Sequence, residues 1–257
     1  MRSSGFLQCR DFLDGGAGSG DTARKMLEFG LPSSRCYAFE PFVGNLPFFE
    51  DRDERVVLFE QALGKVNSSG VLFVSSIVEQ GDTWAARGLQ GYSSVGRLVA
   101  SDRQERSEKH FDVEVVRADD VIPEDANVDF VKLDLQGGES AAIEGMPRIM
   151  SQAVLCWVEY AGDPLVLELL RGHGFALYDT PYLFQGAATP LVEQHFGPIT
   201  STFELSNGVT AFHAFRRTPW KDHEAEFTEL RSRHGLIQTD LVACRPSHVS
   251  LLERLYP

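Results

Sequence analysis

A glycine-rich segment, Asp14-Gly-Gly-Ala-Gly-Ser-Gly20, separates an apolar run at Cys9 to Leu13 from a helical pattern at Thr22 to Phe29. In the helical stretch Ala23, Met26 and Leu27 share one face, and Gly30 and Pro32 supply the stop. Strand, glycine turn and helix in that order open a doubly wound α/β sheet. A turn without side chains lets the backbone approach a nucleotide-like ligand in the crevice beyond the carboxyl ends of the strands.

The alternation continues along the chain. Strands are predicted at Cys36 to Phe39, ending on Glu40-Pro41, and at Val56 to Phe59, running on to Ala62-Leu63-Gly64. Val128 to Asp134 reads as a strand, Glu139 to Met150 as a helix that tolerates Pro147 near its end, and Ala153 to Val158 as a strand apolar on both faces. Asp163 before Pro164 is an N-cap with proline at the first helical position. Leu165 to Arg171 continues that helix, Gly172 or Gly174 ends it, and Phe175 to Tyr178 is the next strand. Thr202 to Leu205 and Val209 to Phe215 flank Asn207-Gly208, a strong hairpin signal, and supply a late antiparallel strand. The expected fold is a doubly wound, mostly parallel seven-stranded α/β sheet.

Two regions depart from this rhythm. Val71 to Val74 and Val113 to Val116 look like short strands around a polar stretch long enough to act as a lid or substrate element. Beyond Asp222, two short helices are expected. The organisation predicted is a single domain over 1–257, with a core at about 8–216, a lid insertion at about 71–117 and a helical extension at about 217–257.

With 257 residues, 43% of them hydrophobic, the chain can bury a full core of that size. Its 37 acidic and 24 basic side chains leave a net charge of -13, which repels a phosphate backbone and argues against a nucleic-acid partner. No run approaches membrane-spanning length and the N-terminus lacks a secretory layout, so a cytoplasmic protein without a membrane partner is expected. Cys9, Cys36, Cys156 and Cys244 have no metal-ligand spacing and read as reduced core residues.

Two ligand classes use a glycine turn of this kind. A dinucleotide prefers G-x-G-x-x-G with its pyrophosphate on the helix N-terminus, but here Gly16, Gly18 and Gly20 alternate and Asp21 stands where the third glycine belongs. Asp14 would repel a diphosphate and favour the ammonium and sulfonium of S-adenosylmethionine. Glu40, at the end of the second strand, can accept both ribose hydroxyl protons. Gln61, Ala62 and Leu63 follow the third strand, where such a fold lays an adenine; the alternative is an ordinary strand end.

The chemistry is expected at the fourth strand. Asp134, at its carboxyl end, can orient the methionine part, act as a base, or do both, whereas the structural alternative is a carboxylate capping the next helix. Lys132 shares its face and should carry a paired charge, Glu139 can cap the following turn, and Glu159 ends the fifth strand as a further candidate for substrate or Lys132. Asp134, Glu139 and Glu159 would suit magnesium or calcium, although a divalent metal is not expected. His110 or His195 could supply the base from a loop folded over the site.

These blocks, taken in order, resemble the FkbM methyltransferase family from about Asp11 to Asp179. The resemblance rests on Asp14 to Thr22, Phe39-Glu-Pro41, Gln61-Ala-Leu-Gly64, Ser93-Ser94, Ala118-Asp-Asp-Val121 and, above all, Val128-Asp-Phe-Val-Lys-Leu-Asp-Leu-Gln-Gly-Gly-Glu139. It implies a class I, Rossmann-like methyltransferase that uses S-adenosylmethionine, releases S-adenosylhomocysteine and methylates a hydroxyl on a sugar, polyketide or other natural-product metabolite. Lys132, Asp134 and Glu139 carry over from the family's Asp-Phe-x-Lys-x-Asp-x-x-Gly-x-Glu block, and Gly145 matches the glycine that follows. The expected catalytic residues are therefore Lys132 and Asp134, with Glu159 added from its place at the end of the fifth strand. The implied cofactor contacts are Asp14, Gly16, Ala17, Gly18, Ser19, Gly20, Thr22, Glu40, Pro41, Gln61, Ala62, Leu63, Ser94 and Asp134. Gly18 stands where the family's first loop often reads asparagine, and an N-terminal cap over the site should be short or missing. The competing functions are a non-catalytic S-adenosylmethionine-binding module and an NAD-dependent oxidoreductase or epimerase; a homo-oligomer is left open.

Overall fold

The apolar residues Phe12, Leu13 and Val131 are buried on neighbouring strands, as a sheet covered on both faces requires. The computed structural model describes residues 9–74, 96–99, 109–185, 201–204, 209–213, 225, 228, 232 and 236–249. Its contacts gather into two units, Met1–Val154 and Leu155–Pro257.

In the first unit β1 (Asp11–Gly15) leads through the glycine turn into α1 (Asp21–Phe29), which buries Ala23, Met26 and Leu27 and stops at Gly30. β2 (Cys36–Phe39) and β3 (Val56–Phe59) follow. β4 (Ala62–Leu63), β5 (Ser68–Val74), β6 (Gly96–Val99) and β7 (Lys109–Val116) form a sheet of their own in the order β4-β7-β5-β6. β5 runs antiparallel to both β6 and β7, so the ends of the expected lid are a sheet built on Ala62, Leu72, Val113 and Val115. Phe42 caps that cluster edge-on to Phe111, with ring centroids 5.2 Å apart. Ser93 and Ser94 lie outside the described residues.

After the short α2 (Ala118–Val121), β8 (Val128–Leu133) pairs in parallel with β1, which pairs in parallel with β2, which pairs in parallel with β3. The single helix expected from Glu139 to Met150 is corrected to two, α3 (Glu139–Glu144) and α4 (Pro147–Gln152). Pro147 has no N–H to continue the first helix and begins the second instead. Gly145 allows the close approach at the break, because a Cβ there would stand 2.0 Å from the Gly64 carbonyl oxygen.

In the second unit β9 (Leu155–Tyr160) leads to α5 (Pro164–Gly172), whose N-cap Asp163 accepts the Leu165 N–H at 3.0 Å. β10 (Ala176–Gln185), the hairpin strands β11 (Ser201–Glu204) and β12 (Val209–His213), and β13 (Leu236–Cys244) complete it. β13 lies between β9 and β10 and runs antiparallel to both, while β12 pairs with the outer side of β10. The expectation of helices alone beyond Asp222 is therefore wrong at residues 236–244. Gln238, Thr239 and Asp240 interrupt the apolar run there, yet Thr239, Leu241 and Ala243 are fully buried. β12 runs antiparallel to β10, as the hairpin signal suggests, and β13 is a second reversed strand that the sequence pattern does not announce. β1, β2, β3 and β8 in the first unit, with β9, β10 and β13 in the second, account for the seven strands expected, those of the first unit all parallel. All four cysteines are buried thiols, and burial pushes Cys9 up to about 12 and Cys244 to about 11.

Candidate active site

The parallel register of β1 and β8 sets Asp14 beside Lys132, two residues before Asp134. Asp14 is fully buried, and burial raises its carboxyl above the ordinary range, opposed mainly by Lys132. Lys132 Nζ stands 3.3 Å from Asp14 Oδ1. Neither Asp14 oxygen completes a well-formed hydrogen bond, so the attraction is chiefly ionic. The same ammonium donates to the carbonyl oxygens of Gly16 at 2.7 Å and Gly15 at 3.3 Å, and lies 3.7 Å from Asp134 Oδ2. Lys132 thus ties the end of β1, the glycine turn and the end of β8 into one polar knot, and Asp14 presents no surface of its own to a ligand.

The glycine turn is left-handed at each alternate glycine, with φ of 73° at Gly16, 55° at Gly18 and 75° at Gly20. At Gly16 the need is also steric, since a Cβ would meet the Asp134 carbonyl oxygen at 2.0 Å. Where the turn's N–H groups go decides what it can hold. Those of Gly16 and Ala17 donate to the Phe39 carbonyl at 3.1 and 3.0 Å, that of Gly18 to Glu40 Oε2 at 2.7 Å, and that of Gly20 to the Ala17 carbonyl at 2.8 Å. A pyrophosphate site requires such groups to face the ligand; here the protein takes them up. Ser19 is buried and donates to Asp21 Oδ2 at 2.8 Å, while Thr22 is half-buried on the first turn of α1.

Glu40 follows β2 with both oxygens engaged, Oε2 by Gly18 and Oε1 by the Phe42 N–H at 2.9 Å. Burial raises its carboxyl, and these backbone donors oppose the rise. The Asn45 side chain is a third donor to this carboxylate, which leaves it acceptor capacity for a ribose hydroxyl. Pro41 beside it is half-buried. Gln61 precedes β4, and its Nε2 donates to Glu114 Oε2 at 3.2 Å while Oε1 is buried without a partner. Ala62 and Leu63 are buried in β4, in register with Val115 and Val116.

Asp134 is the accessible carboxylate of this cluster, its side chain 44% exposed. Its Oδ1 accepts from Gln136 Nε2 at 2.8 Å, a partner that the sequence reading did not single out. Glu139 is buried and accepts from the N–H groups of Leu135 at 2.7 Å and Gly137 at 3.0 Å, so it pins the turn after β8. Glu159, buried on β9, stands in register with Asp240 of β13. His110 is an exposed residue of β7, and His195 lies outside the described residues. Among the described residues no group of three or more His, Cys, Asp or Glu is arranged to hold a metal ion. No helix among them is long and apolar enough to cross a membrane.

The methyltransferase FkbM domain matches residues 14–185, from the glycine turn to the end of β10. The chain belongs to the FkbM methyltransferase domain family. Membership carries the class I, Rossmann-like α/β fold and S-adenosylmethionine as methyl donor, and bears out the resemblance read from the Val128–Glu139 block. No curated protein sequence matches the chain. Among solved structures it is similar to methyltransferase FkbM from Methylobacillus flagellatus KT, at 15% identity and a TM-score of 0.40 over 82% of this chain and 45% of that one. This chain thus spans less than half of that protein. It is also similar to precorrin-6y C5,15-methyltransferase from Geobacter metallireducens GS-15, at 15% identity and a TM-score of 0.38 over 80% of this chain and 79% of that one. A further similarity is to a SAM-dependent methyltransferase from Aquifex aeolicus, at 11% identity and a TM-score of 0.28 over 80% and 81% of the two chains.

The residues of this FkbM domain fit the donor. Carboxylates at the ends of β2 and β8, together with the internally bonded N–H groups of Gly16, Ala17, Gly18 and Gly20, are chemistry that suits a cation bearing hydroxyls.

Proposed function

We propose that this FkbM-family chain works as a single methyltransferase domain in the cytoplasm and methylates a hydroxyl oxygen of a small molecule, such as a sugar, polyketide or other natural-product metabolite. The observation that carries the reading is the contrast at the glycine turn between engaged N–H groups and the acidic side chains Glu40 and Asp134. When bound, S-adenosylmethionine supplies a methyl carbon already activated by its sulfonium. Transfer then asks the protein chiefly to position an oxygen and to remove its proton. Asp134, exposed at the end of β8, orients the cationic methionine part and takes that proton. Glu40 accepts the ribose hydroxyls. Gly16 to Gly20, Thr22 and Pro41 form the cradle, and Gln61 to Leu63 border the adenine, with the buried Gln61 Oε1 as an acceptor for its amino group. Lys132 holds the turn in shape, with the buried Asp14 beside it.

Replacing Glu40 by Ala should weaken cofactor binding by about 1.5 to 3 kcal/mol, the usual worth of hydrogen bonds to a charged group. Titration calorimetry checks this, and an unchanged affinity in a folded variant removes Glu40 from the site. The reaction itself is tested with S-adenosylmethionine labelled in its methyl group and a panel of hydroxylated sugars and polyketides. Label in an alkali-stable methyl ether is the expected result. Label carried only on nitrogen, or none on any compound in the panel, contradicts O-methylation.

A further inference from the structure

Gln136 has φ of 55°, and it is the one non-glycine residue with positive φ among the described residues. Left-handed backbone is costly for a residue with a Cβ, and such strain persists only where surrounding contacts impose it. Here Glu139 imposes it by accepting the N–H groups on either side, from Leu135 at 2.7 Å and Gly137 at 3.0 Å. The Gly138 N–H closes the turn onto the Leu135 carbonyl at 3.3 Å. Glycine would adopt this conformation without penalty, as Gly137 next to it does with φ of 100°. A glutamine there gains something that its side chain provides. That side chain reaches back to Asp134, Nε2 to Oδ1 at 2.8 Å, while Lys132 Nζ faces Oδ2 at 3.7 Å. A carboxylate only accepts, so the amide nitrogen is the end that must face it.

We infer that Gln136 is a positioning residue: the strained turn after β8 exists to aim its amide at Asp134 and fix that carboxylate toward the cationic part of the methyl donor. This rests on the proposed role of Asp134 at the cofactor. A carboxylate with a donor on one oxygen and an ammonium facing the other is held in one orientation before the ligand arrives, so less order is lost on binding. A side chain that merely filled space would leave cofactor affinity alone.

The test pairs thermal unfolding with calorimetry, using S-adenosylmethionine as the probe. Gln136→Gly relieves the backbone and removes the amide, so it should unfold at or above the wild-type temperature and still bind the probe about 10-fold more weakly. Gln136→Met keeps the length and the backbone cost but cannot donate, so its affinity should fall to a similar degree. Stability and affinity moving in opposite directions in the glycine variant is the signature of positioning. Binding within about twofold of wild type in either variant overturns the inference while leaving the proposed function standing. Wild-type protein that fails to bind the probe at all overturns both.

Discussion

Replacing Asp134 by Asn is expected to lower methyl transfer by on the order of 100-fold or more while the protein stays folded. The change keeps the shape of a half-exposed side chain and leaves the main-chain bond from Asp134 N–H to the Gly15 carbonyl, at 3.1 Å, untouched. It removes both the negative charge beside the glycine turn and the capacity to take a proton. The partition between kcat and affinity separates the two roles. If Asp134 takes the proton, turnover falls far more than affinity for S-adenosylmethionine; if it only orients the donor, the two fall together. Activity near wild type on an accepted hydroxyl compound would move proton removal to Glu159 or to a histidine.

Lys132→Met should cost about 3 to 5 kcal/mol of stability, because it strands the Asp14 carboxylate, which has no exposed surface. It also removes the ammonium that the carbonyls of Gly15 and Gly16 accept from, although the Gly15 carbonyl keeps the Asp134 N–H. The loss should depend on pH. Burial already raises the Asp14 carboxyl, and without Lys132 nothing comparable opposes it. A group whose folded pKa lies above its unfolded value is stabilised in its protonated form. The deficit is therefore smallest near about pH 4, where unfolded Asp14 also begins to bind a proton, and grows as pH rises. Asp14→Asn in the same background removes the stranded charge and should restore a large part of the stability; a double-mutant cycle by chemical denaturation measures the coupling. Equal losses at about pH 4 and pH 8, without rescue, would show that Lys132 acts by packing alone.

Much of this arrangement was legible because local rules and tertiary needs agree. Asp14 to Gly20 announces a glycine turn between a strand and a helix, and the structure has it. Val128 to Leu133 is apolar enough to be read as a strand, and the two-residue period places Lys132 and Asp134 on one face. Asp163-Pro164 caps its helix as written. What escaped depends on contacts distant in sequence. β13 hides behind Gln238, Thr239 and Asp240, because its burial comes from the neighbours β9 and β10 and not from its own pattern. The helix breaks before Pro147 where Gly145 passes close to Gly64, far earlier in the chain. The sequence suggests that Asp14 faces the ligand, whereas its register with Lys132 makes it the buried anchor of the turn. Gln136 offered only a weak signal, a polar residue ahead of Gly137-Gly138, and its left-handed backbone follows from Glu139.

The central claim, that the glycine turn of this FkbM-family domain holds a cationic methyl donor and not a diphosphate, is tested most directly by titration calorimetry of the purified protein with S-adenosylmethionine, S-adenosylhomocysteine and NAD. The account predicts saturable binding of the first two and no heat from NAD, since the N–H groups of Gly16, Ala17, Gly18 and Gly20 are engaged within the protein. Binding of NAD with no response to either methyl-cycle compound would contradict it.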